Sequence, residues 1–148
     1  MHESLTIALL QARETAMGFF RPILKSYNLT EQQWRIIRVL ADKRSIDFHE
    51  LSVQTCILRP SLWDPNPYAA QGLIFRLKPL NDQRKLYVSL TPAGQELYDK
   101  ARQEVEEGYQ KIELAFSPEK MQQLTALLDE LIALESPDYS EMNKRKSA

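Results

Sequence analysis

Residues 29–40 read LTEQQWRIIRVL. Thr30 is followed three residues later by Gln33, a capping-box arrangement in which the two side chains satisfy backbone N–H groups at a helix N-terminus. Apolar residues then recur at the spacing of one helix face: Trp34, Ile37 and Leu40. The stretch therefore predicts an amphipathic helix that begins at Thr30 and turns its apolar face toward a core.

The segment before it predicts one long first helix from Ser4 to Ser26. Apolar residues recur there at helical spacing: Leu5, Leu9, Ala12, Ala16, Phe19, Phe20 and Ile23. Pro22 is expected to kink the last turn, because proline removes a backbone hydrogen bond and clashes with the preceding turn.

The segment after it predicts a short third helix at about residues 48–55. Asp47 and Glu50 repeat the capping signature of an acceptor side chain followed three residues later by a glutamate. Phe48 and Leu51 are expected to be buried.

Two longer helices are predicted near the C-terminus. Thr91-Pro92 and Ser117-Pro118 each place a hydroxyl cap before a proline at the first helical position, and the helices are expected to end at about Phe116 and about Leu134. Residues 136–148 lose the apolar periodicity and are expected to form a disordered polar tail.

Charge is distributed unevenly along the 148 residues. The net charge is −1, but residues 1–90 carry 12 Lys and Arg against 8 Asp and Glu, whereas residues 91–148 carry 7 against 12. A polyanionic partner is therefore expected to meet the first part of the chain. The single cysteine, Cys56, excludes an intrachain disulfide and is expected to be a small buried hydrophobe.

Several classes of protein are disfavoured. No apolar run approaches the roughly 18 residues of a membrane helix, and no signal peptide is visible, so the cytoplasm is the expected location. There is no Gly-rich phosphate loop, metal-ligand spacing or nucleophile beside a base, so neither an enzyme nor a cofactor or metal is expected.

Leu73–Lys78 and Lys85–Leu90 are β-rich runs that predict a β-hairpin with a charged tip. Its cations are suited to phosphate or to a narrow minor groove: Arg76, Lys78, Arg84 and Lys85. Asp82 lies two residues before Arg84 and is expected to pair with its guanidinium and hold it in one orientation. The alternative is that these are ordinary solvated charges.

Three stretches give this order of elements a family resemblance. Residues 29–40 resemble the second-helix signature of the MarR family, Asn81-Asp82-Gln83-Arg84-Lys85 resembles its wing motif, and Leu90-Thr91-Pro92-Ala93-Gly94 resembles the start of its fifth helix. Residues 4–14 and 56–62 are similar to one subgroup, the regulators of homoprotocatechuate (4-hydroxyphenylacetate) degradation operons.

The resemblance implies a mainly α fold with a small β-hairpin. It implies one winged-helix domain over residues 1–135, with a DNA-binding lobe at about 30–91 between dimerisation helices at about 3–26 and 92–134. A homodimer bound to a palindromic operator in double-stranded DNA is the expected assembly.

The segment after Leu62 departs from the family pattern. Arg59-Pro60-Ser61-Leu62 begins like the recognition helix, with proline at the first helical position, and Arg59 and Ser61 are predicted DNA contacts. Residues 63–71 read WDPNPYAAQ, which adds two prolines and an aspartate and contains no Lys or Arg. The recognition helix is therefore expected to be disrupted after Leu62.

One hypothesis for this segment is a local frame slip. Possible codons for residues 63–71, read one nucleotide later, permit Gly-Ile-Leu-Thr-Arg-Met-Arg-Arg-Lys, which resembles the missing helix. A paired insertion and deletion or an error in the recorded sequence would both produce it. The alternative is a natural insert with another contact surface.

The resemblance also implies a small aromatic acid as effector. Arg13, Arg21, Trp34, Arg38 and His49 could supply a carboxylate partner, an aromatic wall and a phenol acceptor, although a core position is the more usual one for Trp34 and a surface or internally bonded position for His49. The expected function is repression of an aromatic-catabolic operon, relieved by that acid. The alternative is a dimerising protein whose specific DNA binding is impaired by the altered recognition helix.

Overall fold

The computed structural model describes residues 4–57, 72–82, 84–135 and 137. The predicted fourth helix, its disruption after Leu62 and nearly all of the predicted tail lie outside these residues. The described helices and strands are α1 Leu5–Met17, α2 Arg21–Ser26, α3 Glu31–Lys43, β1 Ser45–Asp47, α4 Phe48–Thr55, β2 Ile74–Leu77, β3 Tyr87–Leu90, α5 Pro92–Phe116 and α6 Pro118–Ile132. The chain divides into two compact units, residues 1–108 and 109–148.

The first predicted helix is two helices, so the prediction of one continuous helix is wrong. α1 ends at Met17, and tight turns bond the Phe19 and Phe20 N–H groups to Ala16 and Met17. Pro22 lies in the first turn of α2, where a missing N–H is tolerated. The carbonyl of Phe19 comes within 3.1 Å of where a β-carbon of Gly108 would stand, an approach that the sequence pattern of residues 4–26 does not reveal.

The predicted capping box of α3 is confirmed. The Gln33 N–H donates to Thr30 Oγ1 at 3.1 Å, and the Thr30 N–H donates to Gln33 Oε1 at 3.0 Å. The apolar face of α3 is buried as expected: Trp34, Ile37 and Leu40.

The predicted third helix, α4, is also confirmed. Its N-terminus is capped by Asp47, whose Oδ1 accepts from the His49 N–H at 2.6 Å. Phe48 and Leu51 are buried in one core cluster with Ile36 and Val88. Cys56 ends α4 in a left-handed conformation with φ of 57° and is exposed, so the prediction that it is buried is wrong.

The predicted hairpin is part of a three-stranded antiparallel sheet in the order β1-β3-β2. Val88 in the central strand is opposite Ile46 on one side and Arg76 on the other. β1 was not predicted, because three residues are too few for an alternating pattern to be distinguished from a loop. Its pairing ties the hairpin to the segment between α3 and α4.

The junction between the sheet and α5 explains the Leu-Thr-Pro-Ala-Gly motif. Thr91 donates its hydroxyl to Gly72 O at 2.5 Å and its N–H to Leu73 O at 3.0 Å, and its Oγ1 accepts from the Gly94 N–H at 3.0 Å. A β-carbon on Gly94 would overlap the carbonyl oxygen of Leu73. Only glycine lets the first turn of α5 approach the backbone that leads into β2.

In the second unit, α6 begins as predicted. Ser117 Oγ accepts from the Lys120 N–H at 3.1 Å, and Pro118 takes the first helical position. The helix ends at Ile132, two residues before the predicted Leu134, which is within ordinary boundary error. Within the described ranges, no helix is long and apolar enough to cross a membrane.

Candidate nucleic-acid interface and effector site

The tip of the hairpin holds Arg84 as predicted. Asp82 Oδ1 accepts from the Arg84 backbone N–H at 3.1 Å and from its Nε at 3.3 Å. The Arg84 side chain is 93% exposed, whereas that of Asp82 is only 26% exposed. An oriented but solvent-facing guanidinium results, and its two terminal nitrogens remain for an external acceptor.

Asp82 is kept ionised by this arrangement. The backbone hydrogen bond from Arg84 is the main cause that lowers the pKa of Asp82, and the side-chain bond from the same residue adds to it. The carboxylate therefore stays charged to a lower pH than an ordinary aspartate does, and continues to orient Arg84.

The remaining predicted DNA contacts differ in where the structure places them. Lys78 and Lys85 are exposed at the two ends of the hairpin tip, while Arg76 is half-buried in β2. Arg59 and Ser61 lie outside the described residues. The structure thus brings Lys78, Arg84 and Lys85 to one end of the hairpin.

Two predicted effector residues lie on one face of α3, because Trp34 and Arg38 are four residues apart. Trp34 is 8% exposed and stacks on Tyr98, with ring centroids 5.5 Å apart and planes inclined by 22°. Arg38 is exposed and forms no ion pair with the described residues. Glu31 shares this face at the N-terminal end of the helix.

Arg13 and Arg21 already have carboxylate partners. Arg13 Nη2 lies 2.9 Å from Glu31 Oε2, Arg21 Nε bonds to the other oxygen of Glu31, and Arg21 Nη2 lies 2.9 Å from a Glu14 oxygen. These contacts join α1, α2 and α3. Because Arg13 and Arg21 are paired with carboxylates of the same chain, the exposed guanidinium of Arg38 is the more accessible of the three to a ligand.

His49 is separate from that group. Its Nε2 is buried and has no hydrogen-bond partner among the described residues. Within the described ranges, no hydrogen bond or ion pair connects its ring to Trp34 or Arg38. A buried ring nitrogen of this kind is suited to a polar ligand group or to a water molecule.

Sequence reasoning overlooked Glu31 and Tyr98 as members of this region. Glu31 was part of the helix signature, but its spacing of three and seven residues from Trp34 and Arg38 places all three on one face. Tyr98 is distant in the sequence, and its stacking on Trp34 follows only from the packing of α3 against α5. In the part of the chain that the structure describes, no group of His, Cys, Asp or Glu is placed to hold a metal ion.

We expect Glu31→Gln to destabilise the protein at neutral pH by about 1 kcal/mol or less, the range of partly exposed ion pairs. The pKa of Glu31 is lowered from its ordinary value of 4.5. The hydrogen bond from Arg21 contributes most to this shift, and the hydrogen bond from Arg13 contributes next. Because the pKa of Glu31 is lower in the folded state than in the unfolded state, the stabilisation is fully present at pH values above the unfolded-state pKa. It is lost as the pH falls through the folded-state pKa.

Thermal unfolding of both forms from pH 7 to pH 3 measures this effect. The difference between wild type and Glu31→Gln should shrink below about pH 4.5, where the unfolded-state carboxylate takes up its proton. Glu107→Gln, at an exposed position in α5, is the control and should track the wild type. A difference that is constant over the whole range would contradict the ion-pair explanation.

Curated proteins similar to this chain are transcriptional regulators. The homoprotocatechuate degradative operon repressor of Escherichia coli is 62% identical over 135 residues, which is 90% of this chain and 91% of that protein. The HTH-type transcriptional regulator FarR of Neisseria gonorrhoeae is 50% identical over 135 residues, 90% and 92% of the two chains. No protein-family model matches the chain.

Solved structures agree with the fold. NadR in complex with 4-hydroxyphenylacetate is 49% identical, with a TM-score of 0.80 over 90% of this chain and 96% of that one. Wild-type MarR from Escherichia coli is 18% identical, with a TM-score of 0.73 over 88% and 98%. The second likeness concerns the fold alone.

Proposed function

The chain belongs to the MarR family of winged helix-turn-helix regulators, and we propose that it represses an operon for the catabolism of aromatic acids. It is a DNA-binding transcriptional regulator rather than an enzyme. The observation that carries the proposal is the 62% identity, over 90% of the chain, with a repressor of the homoprotocatechuate degradative operon. The operon controlled is accordingly one for homoprotocatechuate or 4-hydroxyphenylacetate.

The hairpin is the proposed wing, which contacts the DNA backbone. Arg84 is held by Asp82 with its terminal nitrogens available, and Lys78 and Lys85 add charge at the same tip. Phosphate contacts of this kind supply affinity and orientation but little sequence preference. We assign base reading to the segment that contains Arg59 and Ser61.

The active form is proposed to be a homodimer. All residues of α1 retain exposed or half-exposed surface, and Leu5, Ile7 and Leu10 are at least half exposed. α6 and its C-terminal end expose Leu127 and Leu134 among others. A second copy of the chain would cover such apolar surface and match a palindromic operator.

The effector is proposed to be a small aromatic carboxylate, 4-hydroxyphenylacetate or homoprotocatechuate. NadR has been solved with the first of these compounds. We place the carboxylate at Arg38 and the ring beside Trp34, whereas Arg13 and Arg21 are already paired with Glu31, and His49 lies apart from this pair. Because α3 carries Trp34 and Arg38, ligand binding there would bias the position of the DNA-binding lobe.

Titration of the wild-type protein against the promoter of an aromatic-catabolic operon tests the function. We expect specific binding that 4-hydroxyphenylacetate weakens by about 5- to 150-fold, the usual range of allosteric coupling. Arg38→Gln should weaken effector binding by about 10- to 100-fold, because a hydrogen bond to a charged group is lost. Calorimetry measures the binding, with Lys43→Gln on the same helix as the control.

Absence of heat with both 4-hydroxyphenylacetate and homoprotocatechuate would rule out this class of effector. Binding to DNA that is weak, abolished by modest salt and blind to sequence would instead favour the alternative, a dimerising protein with impaired operator recognition. That alternative is not favoured by the relatives, which are regulators along nearly the whole chain. Since a repressor acts where the chromosome lies, we propose a cytoplasmic location.

A further inference from the structure

The C-terminal turn of α4 is tied down by buried hydrogen bonds. Thr55 Oγ1 donates to Leu51 O at 2.7 Å, Ser52 Oγ donates to Ile57 O at 2.6 Å, and the Ile57 N–H donates to Ser52 O at 3.2 Å. Ser52, Thr55 and Ile57 are all buried. The direction of the chain is therefore defined at Ile57, two residues before Arg59.

One charged side chain from outside α4 joins this turn. Arg35 of α3 donates from Nη1 to the carbonyl oxygen of Thr55, the last residue of α4, at 2.8 Å. A cation at a helix C-terminus is favourable, because the terminal carbonyls have no partner within the helix and carry partial negative charge. The bond connects the helix that carries Trp34 and Arg38 to the exit of α4.

The same guanidinium is partly enclosed by the protein. Its Nε is buried and has no hydrogen-bond partner among the described residues. A planar, long-reaching donor of this kind fits a role in orienting the Thr55 carbonyl.

We propose that Arg35 is a positioning residue for sequence-specific DNA recognition. By holding the Thr55 carbonyl, it fixes the backbone up to Ile57, the described residue that precedes the segment containing Arg59 and Ser61. The inference rests on the proposed function. It separates two contributions to binding: Arg35 governs discrimination between sequences, and the Arg84 tip governs affinity for any duplex.

The test compares two duplexes of equal length. One is selected by the wild-type protein from a random library, and the other is a non-selected member of that library. Arg35→Met keeps the length of the side chain and removes its donors. We expect its affinity for the selected duplex to fall about 10-fold or more, while that for the other stays within about twofold and the salt dependence is unchanged.

Three further variants sharpen the comparison. Ser52→Ala removes the hydroxyl bond from Ser52 Oγ to the Ile57 carbonyl and should lower discrimination in the same way, without altering Arg35. Arg35→Lys retains one charged donor and should recover part of the loss. Lys43→Met, at the exposed end of α3, is the matched control and should behave like the wild type.

Parallel loss of affinity for both duplexes would show that Arg35 is merely structural and would overturn the inference, as would unchanged discrimination in Arg35→Met. Circular dichroism checks folding; if Arg35→Met does not fold, unchanged discrimination in both Ser52→Ala and Arg35→Lys overturns it. A wild-type protein that selects no sequence from the library would refute the proposed function itself. Variants that discriminate between the two duplexes as well as the wild type does would refute only the role of Arg35.

Discussion

Arg84→Ala is expected to lower the affinity for operator DNA by about 10- to 100-fold at about 0.15 M salt. Each lost phosphate contact costs on the order of 1 kcal/mol, and a dimer loses two copies. The slope of log affinity against log salt should decrease by about 1 per contact, because fewer counterions are released. Fluorescence anisotropy between about 0.05 and 0.3 M salt measures both effects.

The controls for this prediction come from the same molecule. Lys120→Ala removes an exposed cation from α6 and should leave both quantities unchanged. Asp82→Asn should reduce affinity less than Arg84→Ala, because Arg84 keeps its charge and loses only its orientation. An Arg84→Ala protein that binds with wild-type affinity and slope would disprove the wing contact.

Gly94→Ala is expected to destabilise the first compact unit by about 3 kcal/mol or more. The added β-carbon would overlap the Leu73 carbonyl oxygen, which is backbone and accepts from the Thr91 N–H. Overpacking commonly costs about 1–3 kcal/mol, and the cost is greater where the obstacle cannot rotate away. Relief would require α5 to separate from the start of β2, which breaks the bonds of Thr91.

Urea unfolding of Gly94→Ala and wild type measures the loss. Gln95→Ala is the control, since Gln95 is exposed in the same turn of α5 and its replacement should stay within about 0.5 kcal/mol. Alanine has a higher intrinsic helix propensity than glycine, which by itself would stabilise the variant. A Gly94→Ala protein that is more stable than the wild type would therefore mean that the backbone at Leu73 can shift at little cost. The glycine of the Leu-Thr-Pro-Ala-Gly motif would then need another explanation.

The sequence predicted those elements whose signals are local. The helix caps at Thr30, Asp47 and Ser117 act over two or three residues, and their helices start where expected. The pairing of Asp82 with Arg84 is equally local and was predicted correctly. Periodicity also identified the strands of the hairpin, although each is shorter than predicted.

Features set by distant contacts were not predictable. The break after Met17 accompanies a close approach of Phe19 to Gly108, 89 positions further along. The engagement of Arg13 and Arg21 by Glu31 depends on how three helices pack, and no spacing in the sequence reveals it. Strand β1 owes its existence to pairing with β3. Residues 63–71, the most unusual stretch of sequence, lie outside the described residues.

The exposed character of α1 has a consequence for dosage in the cell. A 13-residue helix is marginal in water on its own, and α1 is joined to α2 and α3 by ion pairs of Arg13 and Glu14 without fully burying any residue. If a second subunit covers this helix, its ordering and the assembly of the repressor become one concentration-dependent equilibrium. The number of copies per cell would then set the threshold at which the operon is silenced.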